Sequence, residues 1–287
     1  MLSLKFYCPR WGSESMEWDE FSKKVRSAGY DGVEVFPLEH PEDKMKMLQS
    51  FEANGLEFSL LHTVLHDGSD FEKYLYDLER NLYELTTYRT RDLTPKFITS
   101  QTGREYYSEK QMEQCFQICE KVCEETGISI IQETHRNKWS YAAHVVKRYL
   151  EQEKFSFIKL ALDISHWICV SESYLYDQQE ALEMAIRHTT HLHARVGHLE
   201  GSQVTHPRAP ENFEALSRHL ELWDKWILHL IQSKVKWATI TPEFGPYPYM
   251  PMQIGTKLPL ADQWEINCWM MELLKERFRK HTLSHHF

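Results

Sequence analysis

No two of the six cysteines in this 287-residue chain are spaced as CxxC, so the commonest framework for a structural zinc or redox site is missing. Cys115, Cys119 and Cys123 recur at every fourth position instead, which lays them along one stripe of a helix as small apolar groups. No apolar run reaches the roughly 18 residues that a membrane-spanning helix needs. Lysine and arginine form no basic run and the formal net charge is -9, so nucleic acid is not an expected partner, although a small basic pocket for an acidic ligand stays open. Linkers, low-complexity tracts and composition breaks are also lacking, which predicts one domain over residues 1–287. The first residues lead directly into a strand-like segment without a signal-peptide pattern, and a cytoplasmic location is expected.

What is present can build a large core: 42% of the residues are hydrophobic and 13% aromatic. Eight short β-rich runs, at 4–8, 32–36, 57–61, 96–99, 128–132, 157–162, 191–195 and 237–241, alternate with segments of helical periodicity. Helices are predicted over 16–28, 70–90, 212–233 and 261–281, and another opens at the Ser108-Glu-Lys-Gln111 capping box and stops at Gly127. The histidines of the tail, His281, His285 and His286, read as a solvated terminus. Eight strands alternating with eight helices argue for a parallel sheet, and the count favours closure into a single (β/α)8 TIM barrel of α/β class.

In such a barrel the active site lies at the carboxyl ends of the strands, so each strand is judged by what it ends with. The fifth delivers Glu133, His135 and Arg136 in Ile130-Ile-Gln-Glu-Thr-His-Arg136. The sixth ends in Asp163-Ile-Ser-His166, the seventh carries His191, His193 and Arg195, and the eighth ends in Thr241-Pro-Glu-Phe-Gly245 with Glu243. Three carboxylates converging on one mouth repel each other unless they are protonated or neutralised by a divalent cation. A histidine on the intervening strand favours the cation. An oxygen-rich set with one nitrogen suits one Mn, Zn, Co or Mg ion and leaves coordination positions open for a substrate. The metal-free alternative is a ring in which Arg136 and Arg195 neutralise the acids.

Gly29-Tyr-Asp-Gly-Val-Glu34, Gln132-Glu-Thr-His-Arg136, Asp163-Ile-Ser-His166, His191-Leu-His193 and Pro242-Glu-Phe-Gly245 follow one another along most of the chain. On these motifs the sequence resembles the xylose isomerase-like TIM barrels (the AP endonuclease family 2 superfamily), which comprise sugar isomerases, ketose 3-epimerases, inosose-processing enzymes and endonuclease-IV-like repair enzymes. The resemblance implies that Glu133, Asp163, His193 and Glu243 bind the metal. It also implies that Glu133 and Glu243 flank the substrate and move its protons. The three-metal pattern of the repair enzymes is not matched, because strand four ends in Thr99-Ser-Gln101 without histidine and no Asp-x-His follows strand seven. The segment 196–208 departs from the ketose epimerases and looks more like a bacterial subgroup described only as sugar phosphate isomerase/epimerase.

Substrate contacts are expected from His62, Arg104, His135, Arg136, His166, Arg195 and Trp11, each placed just past a strand end. Glu34 reads as a structural partner of one of these cations or as a substrate contact, and His191 as a group behind the metal site or a polar filler of a barrel layer. The expected activity is a divalent-metal-dependent isomerisation or epimerisation of a sugar or sugar phosphate, by proton transfer next to a carbonyl through an enediolate. A metal-dependent hydrolase or lyase, and a binding protein with a vestigial site, are the alternatives. The expected partner is a small sugar-like molecule, with a homo-oligomer possible.

Overall fold

Strands that follow one another in parallel need a crossover between them, and the amphipathic segments of this chain supply one each time. The computed structural model describes residues 2–38 and 40–281; His285 and His286 lie outside the described residues. Its strands are β1 (Ser3–Pro9), β2 (Gly32–Val35), β3 (Glu57–Thr63), β4 (Ile98–Gln101), β5 (Ile130–Glu133), β6 (Leu160–Leu162), β7 (Thr189–His193) and β8 (Trp237–Thr241). They pair in chain order, and β8 closes on β1 through parallel partners such as Phe6 with Ile240. The barrel is complete.

The helices are α1 (Trp18–Ser27), α2 (Pro41–Ala53), α3 (Phe71–Thr86), α4 (Glu109–Thr126), α5 (Ala143–Leu150), α6 (Ile164–Ser171), α7 (Gln179–His188), α8 (Phe213–Gln232) and α9 (Gln263–Phe278). The capping box forms as expected: Ser108 and Gln111 satisfy each other's backbone, and Gly127 ends α4 at a left-handed φ of 72°. Cys115 and Cys119 lie on its buried stripe with Met112, Phe116 and Val122, and burial raises both thiols. Nine α-helices occur among the described residues where the alternation predicts eight. The extra one, α6, starts directly after β6 because the Asp163 side chain accepts the Ser165 N–H at 2.9 Å and so caps it. No helix of the described residues is long and apolar enough to cross a membrane.

Alternation along the strands sorts the barrel interior into layers. Near the amino ends, Lys5 and Tyr7 meet Glu57, with Lys5 Nζ at 2.5 Å and the Tyr7 hydroxyl at 2.9 Å. Above them Tyr7, Phe97, Ile131 and Ala161 form an apolar layer, with the Tyr7 and Phe97 rings stacked at 6.3 Å. Next comes a polar layer around Glu34, and at the carboxyl ends sit Glu133, Asp163, His193 and Glu243. A second core, between strands and helices, holds Phe21, Phe51, Phe58, Trp167, Trp223 and Trp226. Each such side chain withdrawn from water contributes about 2–3 kcal/mol before the entropy of ordering it is subtracted.

Candidate metal centre at the carboxyl end of the barrel

Glu34, on β2, points into the barrel and collects its neighbours' polar groups. One oxygen accepts from Thr99 Oγ1 at 3.2 Å and lies 3.6 Å from His191 Nε2, while the other lies 3.0 Å from His193 Nε2. Burial alone would raise this carboxyl; the two histidines outweigh it and hold it well below the usual carboxylate range. His191 is fixed in turn by Thr239 Oγ1 at 2.6 Å. The consequence for His193 is geometric. With Nε2 held by an ionised carboxylate beneath, Nδ1 faces upward into the mouth.

There it meets the acids. His193 Nδ1 lies 3.2 Å from Glu243 Oε2 and 3.5 Å from Glu133 Oε1, yet it makes no hydrogen bond, and neither does Glu243 Oε2. One ligand atom from each of Glu133, Asp163, His193 and Glu243 falls within 4.8 Å of all the others, and all four residues are buried. Atoms about 2.1 Å from a common ion stand roughly 3–4 Å apart, the spacing His193 Nδ1 has to Glu243 and Glu133. His193 Nδ1 and Glu243 Oε2, buried and without a hydrogen bond, are atoms that a divalent ion held here would satisfy. The residues present fit such an ion.

Arg195 shares the acids. Its Nη2 pairs with Asp163 Oδ2 and stands 3.5 Å from Glu243, and Asp163 Oδ1 accepts from Ser165 Oγ at 2.5 Å. Arg136 does not join this ring: it approaches His166 Nδ1 at 3.0 Å and donates to Ser202 Oγ at 2.5 Å. Only half of the arginine-neutralised alternative is therefore present. His166 lies between both guanidiniums, 2.8 Å from Arg195 Nη2, and burial with the charges around it pushes the imidazole well below its ordinary value. His135 lies against it, ring centroids 4.0 Å apart, and burial lowers it to about 4. Tyr249, from the segment after β8, covers this group with its ring 4.6 Å from Arg195 and 4.9 Å from Arg136.

Among the expected substrate contacts, His135, Arg136, His166 and Arg195 gather beside the four acids, and Trp11 reaches the rim. Its ring meets Tyr249 edge-on at 5.2 Å and lies so close to Gly245 that a Cβ there would come within 2.2 Å of the indole. Two others do not join them. His62 faces outward from β3, hydrogen-bonded through Nδ1 to Ser100 Oγ at 2.9 Å, because the inward set on that strand is Ser59, Leu61 and Thr63. Arg104 spends Nη2 on the carbonyls of Val64 and His66 and so ties down the segment after β3. Gln101, Lys138 and Tyr249 belong to the mouth without having been read from the sequence. Gln101 Nε2 donates to Glu133 Oε2 at 2.9 Å, a position that alternation from Thr99 would have supplied. Lys138 Nζ donates to Thr63 Oγ1 at 2.9 Å. A cavity of 710 Å³ lined by Trp11, Pro246, Met250 and Trp264 lies off this centre and includes none of the four acids.

The burial and charge of the site split its two glutamates. Burial acts on both, but at Glu133 contact with His193, the charge of His135 and the Gln101 amide prevail and lower the carboxyl. At Glu243 burial prevails over His193 and Arg195, and the carboxyl is raised. One is biased toward the base form, the other toward the acid.

No curated protein matches the chain. Three solved structures share its architecture along nearly the whole length. The 3-keto-D-glucoside 4-epimerase of E. coli has a TM-score of 0.64 at 13% identity, covering 96% of this chain and 100% of that one. The probable 3-DHS dehydratase of Bacillus anthracis has 0.60 at 15%, covering 95% and 99%. The D-psicose 3-epimerase of Clostridium cellulolyticum has 0.57 at 15%, covering 96% and 98%. Identities this low speak for the fold alone. The model of the xylose isomerase-like TIM barrel matches residues 22–226, well over half of the sequence, and with the closed eight-stranded barrel it shows that the chain belongs to the xylose isomerase-like TIM barrel family.

Proposed function

We propose that the protein is a divalent-metal-dependent isomerase or epimerase of a sugar or sugar phosphate, and that it moves a proton on the carbon next to a carbonyl. The observation that carries this reading is the pair Glu133 and Glu243. They stand 3.5 and 3.2 Å from His193 Nδ1, so that one ion held by all three would bring both carboxylates to the same substrate. Glu133, Asp163, His193 and Glu243 would hold the ion. When bound, it would polarise a substrate carbonyl and lower the pKa of the neighbouring C–H.

The remaining work falls to side chains. Glu133, kept ionised, takes the proton from carbon; the Gln101 amide on its far oxygen fixes the carboxylate plane. Glu243 takes up and returns a proton on the other face of the enediolate or exchanges one between its oxygens. Arg195, held by Asp163 and His166, places its guanidinium beside the developing oxyanion, and Tyr249 with Trp11 screens the site from bulk water.

Glu243→Gln is the test, with turnover measured over a panel of aldoses, ketoses and their phosphates and with Mn content measured on the same sample. Turnover falls about 10²–10⁴-fold while stoichiometric metal remains after saturation. Full turnover with metal bound would refute the acid/base assignment.

A further inference from the structure

Among the described residues, Lys138 is a buried cation without an ion-pair partner. The residue is 4% exposed, its Nζ carries three protons, and its one hydrogen bond goes to the Thr63 hydroxyl. No carboxylate of the described residues lies within ion-pair distance of it. Its position is not accidental. Asn137 turns the chain at a left-handed φ of 65°, Lys138 N–H bonds back to the His135 carbonyl at 3.3 Å, and Trp139 anchors the next residue through Gln132 at 3.3 Å. This turn sends the lysine to Thr63 at the end of β3, whose neighbour on β4 is Gln101, the residue that holds Glu133. The ammonium therefore borders the proposed reaction centre on its β3–β4 side.

Keeping an unpaired ammonium out of water is unfavourable, and here burial and the nearby Arg104 push Lys138 down to about 8, with Glu133 offsetting only part. A solvated surface position would relieve that cost; the turn at Asn137 denies it. The charge count points the same way. Glu34, Glu133, Asp163 and Glu243 carry four negative charges against the three positive ones of Arg136, Lys138 and Arg195, so a divalent ion would leave the mouth with one positive charge uncompensated. A neutral sugar would not answer that excess.

We propose that Lys138, seated on Thr63, binds an anionic group of the substrate, a carboxylate or a phosphate carried away from the reacting carbon. The protein would then act on sugar acids or sugar phosphates in preference to neutral sugars. This rests on the isomerase/epimerase reading for the identity of the substrate, but its test does not use turnover.

Mn²⁺-loaded protein is titrated calorimetrically with D-glucuronate and with inorganic phosphate, and the Mn²⁺ affinity is measured alongside. The wild type binds at least one anion, and Lys138→Met weakens that binding tenfold or more with Mn²⁺ affinity unchanged; Lys138→Arg retains most of it. Binding of glucuronate alone assigns a carboxylate, and of phosphate alone a phosphate ester. Should Lys138→Met not fold, Lys138→Gln serves the same comparison. The proposal is overturned if the wild type binds neither anion, or if the variant binds them as tightly. A failed turnover panel with lysine-dependent anion binding would count against the reaction and leave this site standing.

Discussion

At the level of single residues, His193 joins the two halves of the site, since one ring nitrogen rests on Glu34 and the other faces Glu133 and Glu243. Burial opposes charge on this imidazole, but Glu243 and Glu34 prevail and raise it well above its ordinary value. The sign follows. Stability owed to this proton is fully present below the unfolded value of about 6.5 and is lost as pH rises through the elevated one. An ion at Nδ1 needs the lone pair that the proton occupies, so binding near neutrality expels about one proton and the affinity for Mn²⁺ rises about tenfold per pH unit. Calorimetry in buffers of different ionisation enthalpy reads the proton count directly; a release near zero would mean that His193 is not a ligand.

At the level of elements, α8 and the segment after β7 are joined by His219, whose Nε2 accepts the Gly197 N–H at 3.2 Å while Nδ1 contacts the Ala215 carbonyl at 2.7 Å. Burial lowers this imidazole to about 4, so it is neutral in the folded protein and takes up a proton on unfolding below about 6.5. Its contribution, on the order of 1–3 kcal/mol, is present above that value and lost as pH falls toward 4. Urea midpoints should decline as pH falls from about 6.5 toward 4. His219→Gln, which can still accept from Gly197 but cannot titrate, should make the decline shallower; an unchanged slope would remove this histidine from the account.

The same scale shows what the sequence carried. Strand and helix periods, the Ser108 capping box and the four acid or imidazole strand ends were legible because each depends on residues within a few positions of one another. His62 was misplaced by one step of alternation: ending β3 at residue 61 or 62 puts the imidazole at the mouth, whereas the strand runs to Thr63 and turns it outward. Helix α6 was hidden because Asp163 serves both as a strand end and as a cap. Lys138 and Tyr249 were beyond reach, since a turn at Asn137 and the path of the chain after Gly245 decide where they point.

For the molecule as a whole, the proposed ion would bind the closed barrel and not the unfolded chain, in which its four ligands are separated by up to the span from Glu133 to Glu243. At a hundredfold excess over its dissociation constant it would add about 2.7 kcal/mol of stability. For a chain of this length that corresponds to a rise of about 3–5 °C in Tm, reversed by EDTA and followed by calorimetry. No rise with Mn²⁺, Co²⁺, Zn²⁺ or Mg²⁺ would argue for the vestigial site.

The apolar layer of Tyr7, Phe97, Ile131 and Ala161 has one more effect. It is a floor without a drain. Whatever reaches Glu133 has to come from the carboxyl end of the barrel, the side on which Trp11 and Tyr249 stand, and has to leave on that side too.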